Sequence, residues 1–331
     1  MAYIASGRSL IDNDKNFIAG NVVISGSTGL FMEATSPPPM YGTVAGFVSS
    51  GTPGGPLGAL SNEIQRFPFA SNANATDYGD LTQARYHSSG QSSSTHGYTT
   101  GGNAGSSSNV IDKFPFASAA NATDVGDLTV ARYAASGQSS LTYGYTTGSG
   151  VPQSNVIDKF PFASGGNATD VGDLSHVLNQ NEEGSGQSSL THGYNLGGNT
   201  SASIDKFSFA SDGNSSVIGT PINPYGSAGG GGNSSLTHGY NAGSAPWWGG
   251  GYNNLIEKFS FASDGNSTSV GLLLASTQQA SGQSSSTHGY VSGGAPGPVN
   301  VIQKFPFASD ANSSDVGDLL RAMNKVAGQQ D

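Results

Sequence analysis

The chain of 331 residues contains no cysteine, which excludes disulfides, thiolate nucleophiles and zinc–thiolate sites. Charge is scarce as well, since Asp, Glu, Lys and Arg make up only 10% of the residues. The 12 basic residues form no cluster that would neutralise phosphates, and the formal net charge is −10. The composition therefore argues against a nucleic-acid partner.

Long apolar runs are also missing, and none approaches the roughly 20 residues that span a bilayer, so we expect no membrane insertion. The first eight residues (MAYIASGR) lack the features of a secretory signal. Neither a Gly-x-Ser-x-Gly elbow nor a Lys-Ser/Thr phosphate loop is present. We therefore predict a non-enzymatic protein without a cofactor, made in a cytoplasm.

Glycine is abundant (50 residues), and aromatic residues recur at a fixed period. The phrase Ile-(Asp/Glu/Gln)-(Lys/Arg)-Phe-(Pro/Ser)-Phe-Ala-Ser occurs six times. Its first phenylalanine is Phe67, Phe114, Phe160, Phe207, Phe259 or Phe305, so the spacings are 47, 46, 47, 52 and 46 residues. Such a period indicates a repeat architecture in which each unit is one supersecondary block.

Each repeat contains four short runs bounded by Gly, Ser or Asn, as expected for strands. Helical spacing is absent, apart from a stretch near residues 319–326 that is compatible with a short turn. Four strands per unit of about 46 residues is the period of a propeller blade. The sequence therefore predicts an all-β protein, a six-bladed β-propeller.

The two ends of the repeat region suggest how the ring closes. Residues 326–331 (VAGQQD) align with residues 280–285 (ASGQSS), which begin a repeat. The first repeat starts near Tyr41 without such a strand and follows three prolines, which suit an inner strand poorly. We predict that the C-terminal segment supplies the innermost strand of a propeller spanning residues 41–331. Residues 1–40 would be an attachment or oligomerisation segment, or alternatively a peptide packed against the propeller side.

The repeat resembles the kelch repeat, in which a basic residue precedes the innermost strand and a Gly-Gly doublet ends the second. The matching residues are Arg85, Arg132, Tyr98 with Gly101-Gly102, Tyr194 with Gly197-Gly198, and Tyr290 with Gly293-Gly294. The kelch tryptophan on the fourth strand is missing, and the fifth repeat has Ser244-Ala245 where the second glycine would be. The resemblance implies a kelch-like propeller.

A narrower resemblance concerns residues 122–132 (ATDVGDLTVAR), which are similar to runs in repeat-bearing structural proteins of marine cyanobacterial phages. This resemblance implies a virion component, such as a tail fibre, a tail tip or another surface appendage, assembled in the host cytoplasm. Its expected partners are other virion proteins, contacted through residues 1–40, and a host-surface glycan or receptor, with a homo-oligomer left open. The alternative is a bacterial cell-surface or matrix-binding propeller that acts as an interaction scaffold.

Histidine is the first residue type that could provide chemistry. His96, His192, His238 and His288 occupy one repeat position, which Tyr143 fills in the third unit and Met40 in the first. A ring of imidazoles could face one channel and bind a metal. The alternative is that they fill slots between blades, with a ring nitrogen bonded to neighbouring backbone.

Paired carboxylates flank a glycine in four repeats. Asp124, Asp127, Asp170 and Asp173 are weak candidates for calcium, although each pair provides too few oxygens by itself. Tight-turn chemistry is the alternative. Asparagines in Asn-x-Ser/Thr triplets are expected to form Asx-turns between the third and fourth strands. Their positions are Asn74, Asn121, Asn167, Asn214, Asn266 and Asn312.

The fifth repeat departs most from the pattern, because extra residues between its second and third strands contain Trp247, Trp248 and Tyr252. Exposed aromatic side chains on a rigid scaffold are a common recognition device, and tryptophan stacks well on sugar rings. We predict these three as ligand-binding residues. The alternative is that the indoles fill a gap or pack on a partner subunit.

Overall fold

The computed structural model describes residues 41–54, 59–178, 184–198, 202–222, 229–244 and 253–331, with the backbone of two short strands nearer the N-terminus. The chain divides into two compact units, Met1–Pro39 and Met40–Asp331. Within the first, Ile4–Ala5 pairs antiparallel with Arg8–Ser9. No helix occurs in the described residues, and so none there is long and apolar enough to cross a membrane. The predicted role of residues 1–40 stays a prediction.

The second unit is a six-bladed β-propeller, which confirms the predicted fold. Six antiparallel sheets each contain an inner, a second, a third and an outer strand, and we number the blades 1 to 6 in the order of the repeats. In that order, the inner strands are Ala327–Gln330, Ser89–Ser92, Ser136–Ser139, Ser185–Ser188, Gly231–Ser234 and Ser281–Ser284. The second strands are Ala45–Ser49, His96–Thr100, Tyr143–Gly150, His192–Leu196, His238–Ser244 and His288–Ser292.

The third strands contain the repeated phrase, and the outer strands the Asp-x-Gly-Asp sequence or its replacement. The third strands are Glu63–Pro68, Val110–Pro115, Gln153–Pro161, Ile204–Ser208, Asn253–Ser260 and Val299–Pro306. The outer strands are Thr76–Asp80, Thr123–Asp127, Thr169–Asp173, Ser216–Gly219, Thr268–Leu272 and Ser314–Asn324.

Blade 1 is built from both ends of the repeat region, as predicted. The strand Ala327–Gln330 pairs antiparallel with Ala45–Ser49, and Gln329 lies opposite Phe47. A short strand, Thr52–Pro53, then adds a fifth strand to blade 6 by pairing with Met323 and Asn324. This pairing extends the outer strand of blade 6 to Asn324, so the helical turn considered for residues 319–326 was wrong.

A glycine on each second strand explains why the repeated phenylalanine can lie flat in the blade. Gly97 is the cross-strand partner of Phe114, and a Cβ atom on Gly97 would overlap the Phe114 ring. The same pairing occurs in the other blades, between Gly46 and Phe67, Gly144 and Phe160, Gly193 and Phe207, Gly239 and Phe259, and Gly289 and Phe305. The Gly-Tyr and Phe-x-Phe sequences therefore form one packing unit.

Aromatic contacts join each blade to the next. Tyr98 stacks on Phe162 of blade 3 with ring centroids 4.7 Å apart, and its hydroxyl donates to the Phe162 carbonyl at 3.0 Å. The equivalent stacked pairs are Phe47–Phe116, Tyr145–Phe209, Tyr194–Phe261, Tyr240–Phe307 and Tyr290–Phe69. Such pairs contribute about 0.5–1.5 kcal/mol each beyond the burial of their area.

The register of blade 1 differs from the expected alignment. Ala45, Gly46 and Phe47 take the places of His96, Gly97 and Tyr98, because Gly46 faces a third-strand phenylalanine. The expectation that Met40 fills the histidine position was therefore wrong. Residues 40–42 (MYG) are similar in sequence to the repeat. However, the residue opposite Phe67 has to be a glycine to leave room for the ring, and that residue is Gly46.

Two buried ion pairs lie in blades 2 and 3. Arg85 and Asp112 are both fully buried, with Nη2 2.9 Å from Oδ2, and the same arginine nitrogen donates to the Thr99 carbonyl at 2.8 Å. Arg132 and Asp158 repeat the pair at 2.9 Å. The arginines that resemble the kelch basic residue are therefore internal structural groups.

Candidate ligand-binding face

The two faces of the propeller are built differently. On one, which we name the turn face, short turns join inner to second strands. In blade 2, Ser93 Oγ accepts from His96 N at 3.0 Å, and Ser93 N donates to the His96 carbonyl at 2.9 Å. The serines Ser140, Ser189, Ser235 and Ser285 close the equivalent turns of blades 3 to 6.

The opposite face, which we name the loop face, contains the connections from second to third strands and from each outer strand to the next blade. Their lengths differ: two residues separate Gly150 from Gln153 in blade 3, whereas nine separate Thr100 from Val110 in blade 2. Differences between repeats are therefore concentrated on the loop face.

The predicted ligand-binding residues Trp247, Trp248 and Tyr252 lie outside the described residues. The residues that flank them are described: Ser244 pairs with Asn253, and Asn253 Nδ2 donates to Ser244 Oγ at 2.7 Å. Ser244 and Asn253 therefore lie side by side on the loop face.

An aromatic cluster on the loop face was not predicted from the sequence. We name Tyr86, His87, Tyr133 and Lys325 the rim cluster. The Tyr86 and Tyr133 ring centroids are 6.3 Å apart, and the His87 ring stacks on Tyr133 at 6.1 Å with an interplanar angle of 27°. Lys325 Nζ lies 4.9 Å from the Tyr86 centroid. The signal in the sequence was the tripeptide Ala-Arg-Tyr, which occurs twice. Successive side chains of an extended chain point to opposite sides, so a tyrosine that follows a buried arginine points towards the surface.

The rim cluster lies along one side of the entrance to the central channel. Backbone hydrogen bonds link its segments in sequence: Lys325 N to Gln279 O, His87 N to Lys325 O, and Ala134 N to His87 O, at 2.7 to 3.0 Å. The next residues along each segment line the channel. Burial, followed by the neighbouring Tyr133, raises the pKa of Tyr86, so its phenol is neutral at physiological pH.

The channel itself is a narrow polar cavity of about 110 Å³, lined by the inner strands of all six blades. The second residue of each inner strand is a glycine, and a Cβ atom on it would collide with the equivalent glycine carbonyl of the adjacent blade. These glycines are Gly90, Gly137, Gly186, Gly232, Gly282 and Gly328. The inner strands therefore approach as closely as backbones allow, and the channel suits water better than a large ligand.

Two rings of hydrogen bonds hold these strands together. Gln91 Nε2 donates to the Tyr145 carbonyl of the next blade at 3.0 Å, and Ser92 N donates to Ser139 Oγ at 2.9 Å. The other bridging amides are Gln138, Gln187, Asn233, Gln283 and Gln329. The backbone-to-side-chain ring continues through Ser188, Ser234, Ser284 and Gln330. The C-terminal strand completes both rings.

The four repeat histidines lie on the turn face at the start of their second strands. In each, Nδ1 is 2.8 Å from the Oγ1 of the preceding threonine, where we had expected a bond to backbone. Burial is the main cause that lowers the pKa of each imidazole, and a neighbouring lysine acts in the same direction. Among the described residues, no group of three or more His, Asp or Glu is arranged to hold a metal ion.

The weak calcium candidates Asp124, Asp127, Asp170 and Asp173 lie on the solvent side of the outer strands. Asp124 Oδ1 accepts from Gly126 N at 3.1 Å, and Asp170 Oδ1 accepts from Gly172 N at the same distance. Both glycines have positive φ angles, near 155°, and sit where the strand register shifts. The carboxylates thus take part in a local bulge of the strand.

The six asparagines do not form the expected Asx-turns. Asn121 Oδ1 instead accepts from Asp80 N of the preceding blade at 3.1 Å. Asn167, Asn214, Asn266, Asn312 and Asn74 form the equivalent bonds with Asp127, Asp173, Thr220, Leu272 and Asp318. The expectation was wrong because each asparagine accepts a hydrogen bond from a residue of the preceding blade. For five of the six, that donor lies about 40 residues away in the sequence, so no local pattern reveals it.

No protein-family model matches the chain, and no curated protein is significantly similar to it. The six-bladed architecture therefore rests on the structure, and the likeness to kelch repeats and phage proteins stays an interpretation of the sequence.

Proposed function

We propose that the protein is a non-enzymatic component of a bacteriophage virion, a tail fibre, tail tip or other surface appendage, whose propeller binds a host-surface glycan or receptor through the loop face. The observation that supports this most directly is the contrast between the faces. Five closely similar turns and closed hydrogen-bond rings make a rigid scaffold, while the loop face contains the differences. Recognition residues are typically placed on variable loops held by such a scaffold.

The path of the chain agrees with this arrangement. The propeller begins on the turn face, where Gly42 N donates to the Ser284 carbonyl at 2.7 Å. The described start of the propeller and its variable loops therefore lie on opposite faces.

The tryptophan pair is the first choice for contact with a glycan. Both indoles belong to the segment between Ser244 and Asn253, whose base is closed by a hydrogen bond. Indole rings bury large areas and stack on the apolar faces of sugars. A fixed base lowers the ordering cost that such a contact requires.

A glycan array and a host-cell binding assay test the proposal, comparing the intact protein with a Trp247→Ala/Trp248→Ala variant. The matched control is Leu141→Ala/Leu190→Ala, which removes two exposed apolar side chains from the turn face. We expect the tryptophan variant to lose binding and the leucine variant to keep it. Equal binding by all three proteins would contradict a recognition role for the tryptophan segment.

The location requires a separate measurement. Immunogold labelling of purified phage particles should decorate a tail or capsid appendage. Labelling confined to the surface of uninfected bacteria would instead favour the cell-surface scaffold.

A further inference from the structure

We infer that the rim cluster is a second binding site, specific for a sugar ring that bears an anionic substituent, such as a uronic acid. This site lies on blades 1 to 3 and does not depend on the tryptophan segment of blade 5. The inference is based on three features of the described residues: two neighbouring tyrosine rings, contacts that fix the orientation of those rings, and the positive charge of Lys325.

The first feature is the geometry of the tyrosines. Tyr86 and Tyr133 are both partly exposed, and their rings meet at 49° with centroids 6.3 Å apart. The two tilted rings therefore lie side by side, each with part of its surface exposed. Aromatic faces of this kind contact the C–H side of a pyranose, while the hydroxyls at the ring ends offer hydrogen bonds.

The second feature is the way the rings are held. His87 is buried and packs against both tyrosines, with centroids 5.1 Å from Tyr86 and 6.1 Å from Tyr133. The Tyr86 backbone pairs with Asn103 in both directions, and Tyr133 pairs in the same way with Val151. A prearranged pair of rings reduces the entropy lost on binding.

The third feature is the charge of Lys325. Three other lysines pair with a carboxylate of the next blade, Lys159 with Asp212, Lys206 with Asp264 and Lys258 with Asp310. Lys325 makes no ion pair with any carboxylate that the structure describes. In a chain with a net charge of −10, an ammonium group 4.9 Å from an aromatic centroid is a suitable partner for a bound anion.

The two other described positions around the channel entrance lack such a cluster. The positions that correspond to Tyr86 are Asn324 in blade 1 and Gln278 in blade 6, according to the backbone ladder around the entrance. Neither offers an aromatic face. The scaffold therefore does not require a tyrosine here.

The test is an NMR titration of the full chain with methyl glucuronoside, methyl galacturonoside and the neutral methyl glucoside. The variants are Tyr133→Ala and Lys325→Gln. The control is Tyr143→Ala, which removes a tyrosine that also lies under a lysine, Lys159 at 4.6 Å, but on the turn face. Thermal unfolding of each variant establishes that it is folded.

We expect the acidic sugars to bind more tightly than the neutral one. Tyr133→Ala should weaken all binding about tenfold or more, which corresponds to about 1.4 kcal/mol. Lys325→Gln should weaken only the acidic sugars, and Tyr143→Ala should change nothing.

Three results would overturn the inference: no binding of either acidic sugar, equal loss in Tyr143→Ala and Tyr133→Ala, or equal loss for acidic and neutral sugars in Lys325→Gln. The Trp247→Ala/Trp248→Ala variant separates this site from the proposed host-binding segment. If that variant loses uronoside binding, the rim cluster is not the site.

Discussion

Blade 1 and blade 2 share one backbone design but reach it with different residues. Blade 2 comes from a continuous stretch of chain and contains the buried pair Arg85–Asp112. Blade 1 takes its inner strand from residues 327–330 and has neutral residues in both places, Met323 and Gln65, each fully buried.

The comparison shows that the scaffold requires an acceptor atom, and that charge is optional. In blade 2, Thr82 N donates to Asp112 Oδ2 at 3.1 Å, and in blade 1, Leu320 N donates to Gln65 Oε1 at 2.7 Å. A buried carboxylate needs a cation, whereas a buried amide does not. The residues at these two positions therefore change together: arginine occurs with aspartate in blade 2, and methionine with glutamine in blade 1.

The largest expected effect comes from removing the strand that makes blade 1 discontinuous. Deleting residues 326–331 leaves the Ala45–Ser49 edge unpaired and breaks both hydrogen-bond rings. We expect loss of the single cooperative urea transition and association through the exposed edge, measured by circular dichroism and size-exclusion chromatography.

A matched variant tests whether the strand acts through its backbone and its amide. Ala327→Ser/Gln330→Ser gives blade 1 the inner-strand sequence of blade 2, Ser-Gly-Gln-Ser. It should keep the oligomeric state of the unaltered protein and nearly the same stability. A cooperative transition in the deletion variant would refute closure by this strand.

The second effect concerns the buried ion pair. Asp112→Ala leaves the Arg85 guanidinium buried without its carboxylate, and we expect a loss of about 3–5 kcal/mol in the free energy of unfolding. Arg85→Met/Asp112→Gln copies blade 1 and should recover most of that loss, since the amide still accepts from Thr82 N. Urea unfolding measures both. A double variant as unstable as the single one would show that the pair is not exchangeable.

A smaller effect is expected at Ser50, which has a φ of 61° where blade 2 has Gly101, also at 61°. Its hydroxyl is buried and finds no hydrogen-bond partner in the described part of the chain. Ser50→Gly relieves both costs and should raise stability by about 1 kcal/mol.

The reverse substitution, Gly101→Ser, should destabilise by about 1–3 kcal/mol, because its Cβ atom would lie 2.7 Å from the Arg132 carbonyl oxygen. Differential scanning calorimetry compares the two. Shifts of the melting temperature in the same direction would contradict this account.

The smallest expected effect on stability at neutral pH comes from the hydroxyl of Tyr98, which its blade 1 counterpart, Phe47, lacks. Burial raises the pKa of Tyr98 from 10.0 to about 12, although a bond with Ser93 acts the other way. The folded state therefore favours the neutral phenol, and this stabilisation is complete below pH 10 and is lost as the pH rises towards 12.

Tyr98→Phe should cost about 1 kcal/mol at pH 7, through the lost hydrogen bond to the Phe162 carbonyl. It should also make the alkaline fall in stability shallower between pH 10 and 12, as measured by urea unfolding. An unchanged alkaline slope would contradict the pKa assignment.

Much of the fold could be predicted because its packing unit repeats locally. The phenylalanine phrase, the Gly-Tyr dipeptide and the Gly-Gln of the inner strand each mark one strand, so their spacing predicted six blades. Gly328-Gln329 repeats Gly282-Gln283, which was enough to place the closing strand.

The remaining features depend on contacts that cross blade boundaries or on side-chain direction. The Asn121 bond to Asp80, the Thr52–Pro53 pairing with blade 6 and the rim cluster each join residues from different repeats. The register of blade 1 was missed for a related reason, since the aromatic ring that requires Gly46 lies on another strand. No local pattern contains these partners.

The two ends of the propeller meet within blade 1. Thr43 N donates to the Asp331 carbonyl at 2.6 Å, and Asp331 N donates to the Ala45 carbonyl at 2.9 Å. A short linker could therefore fuse these ends while a new opening is cut in any other turn, giving a circular permutant with the same ring. The same proximity allows the whole domain to be inserted into another protein as a cassette, at a single surface loop.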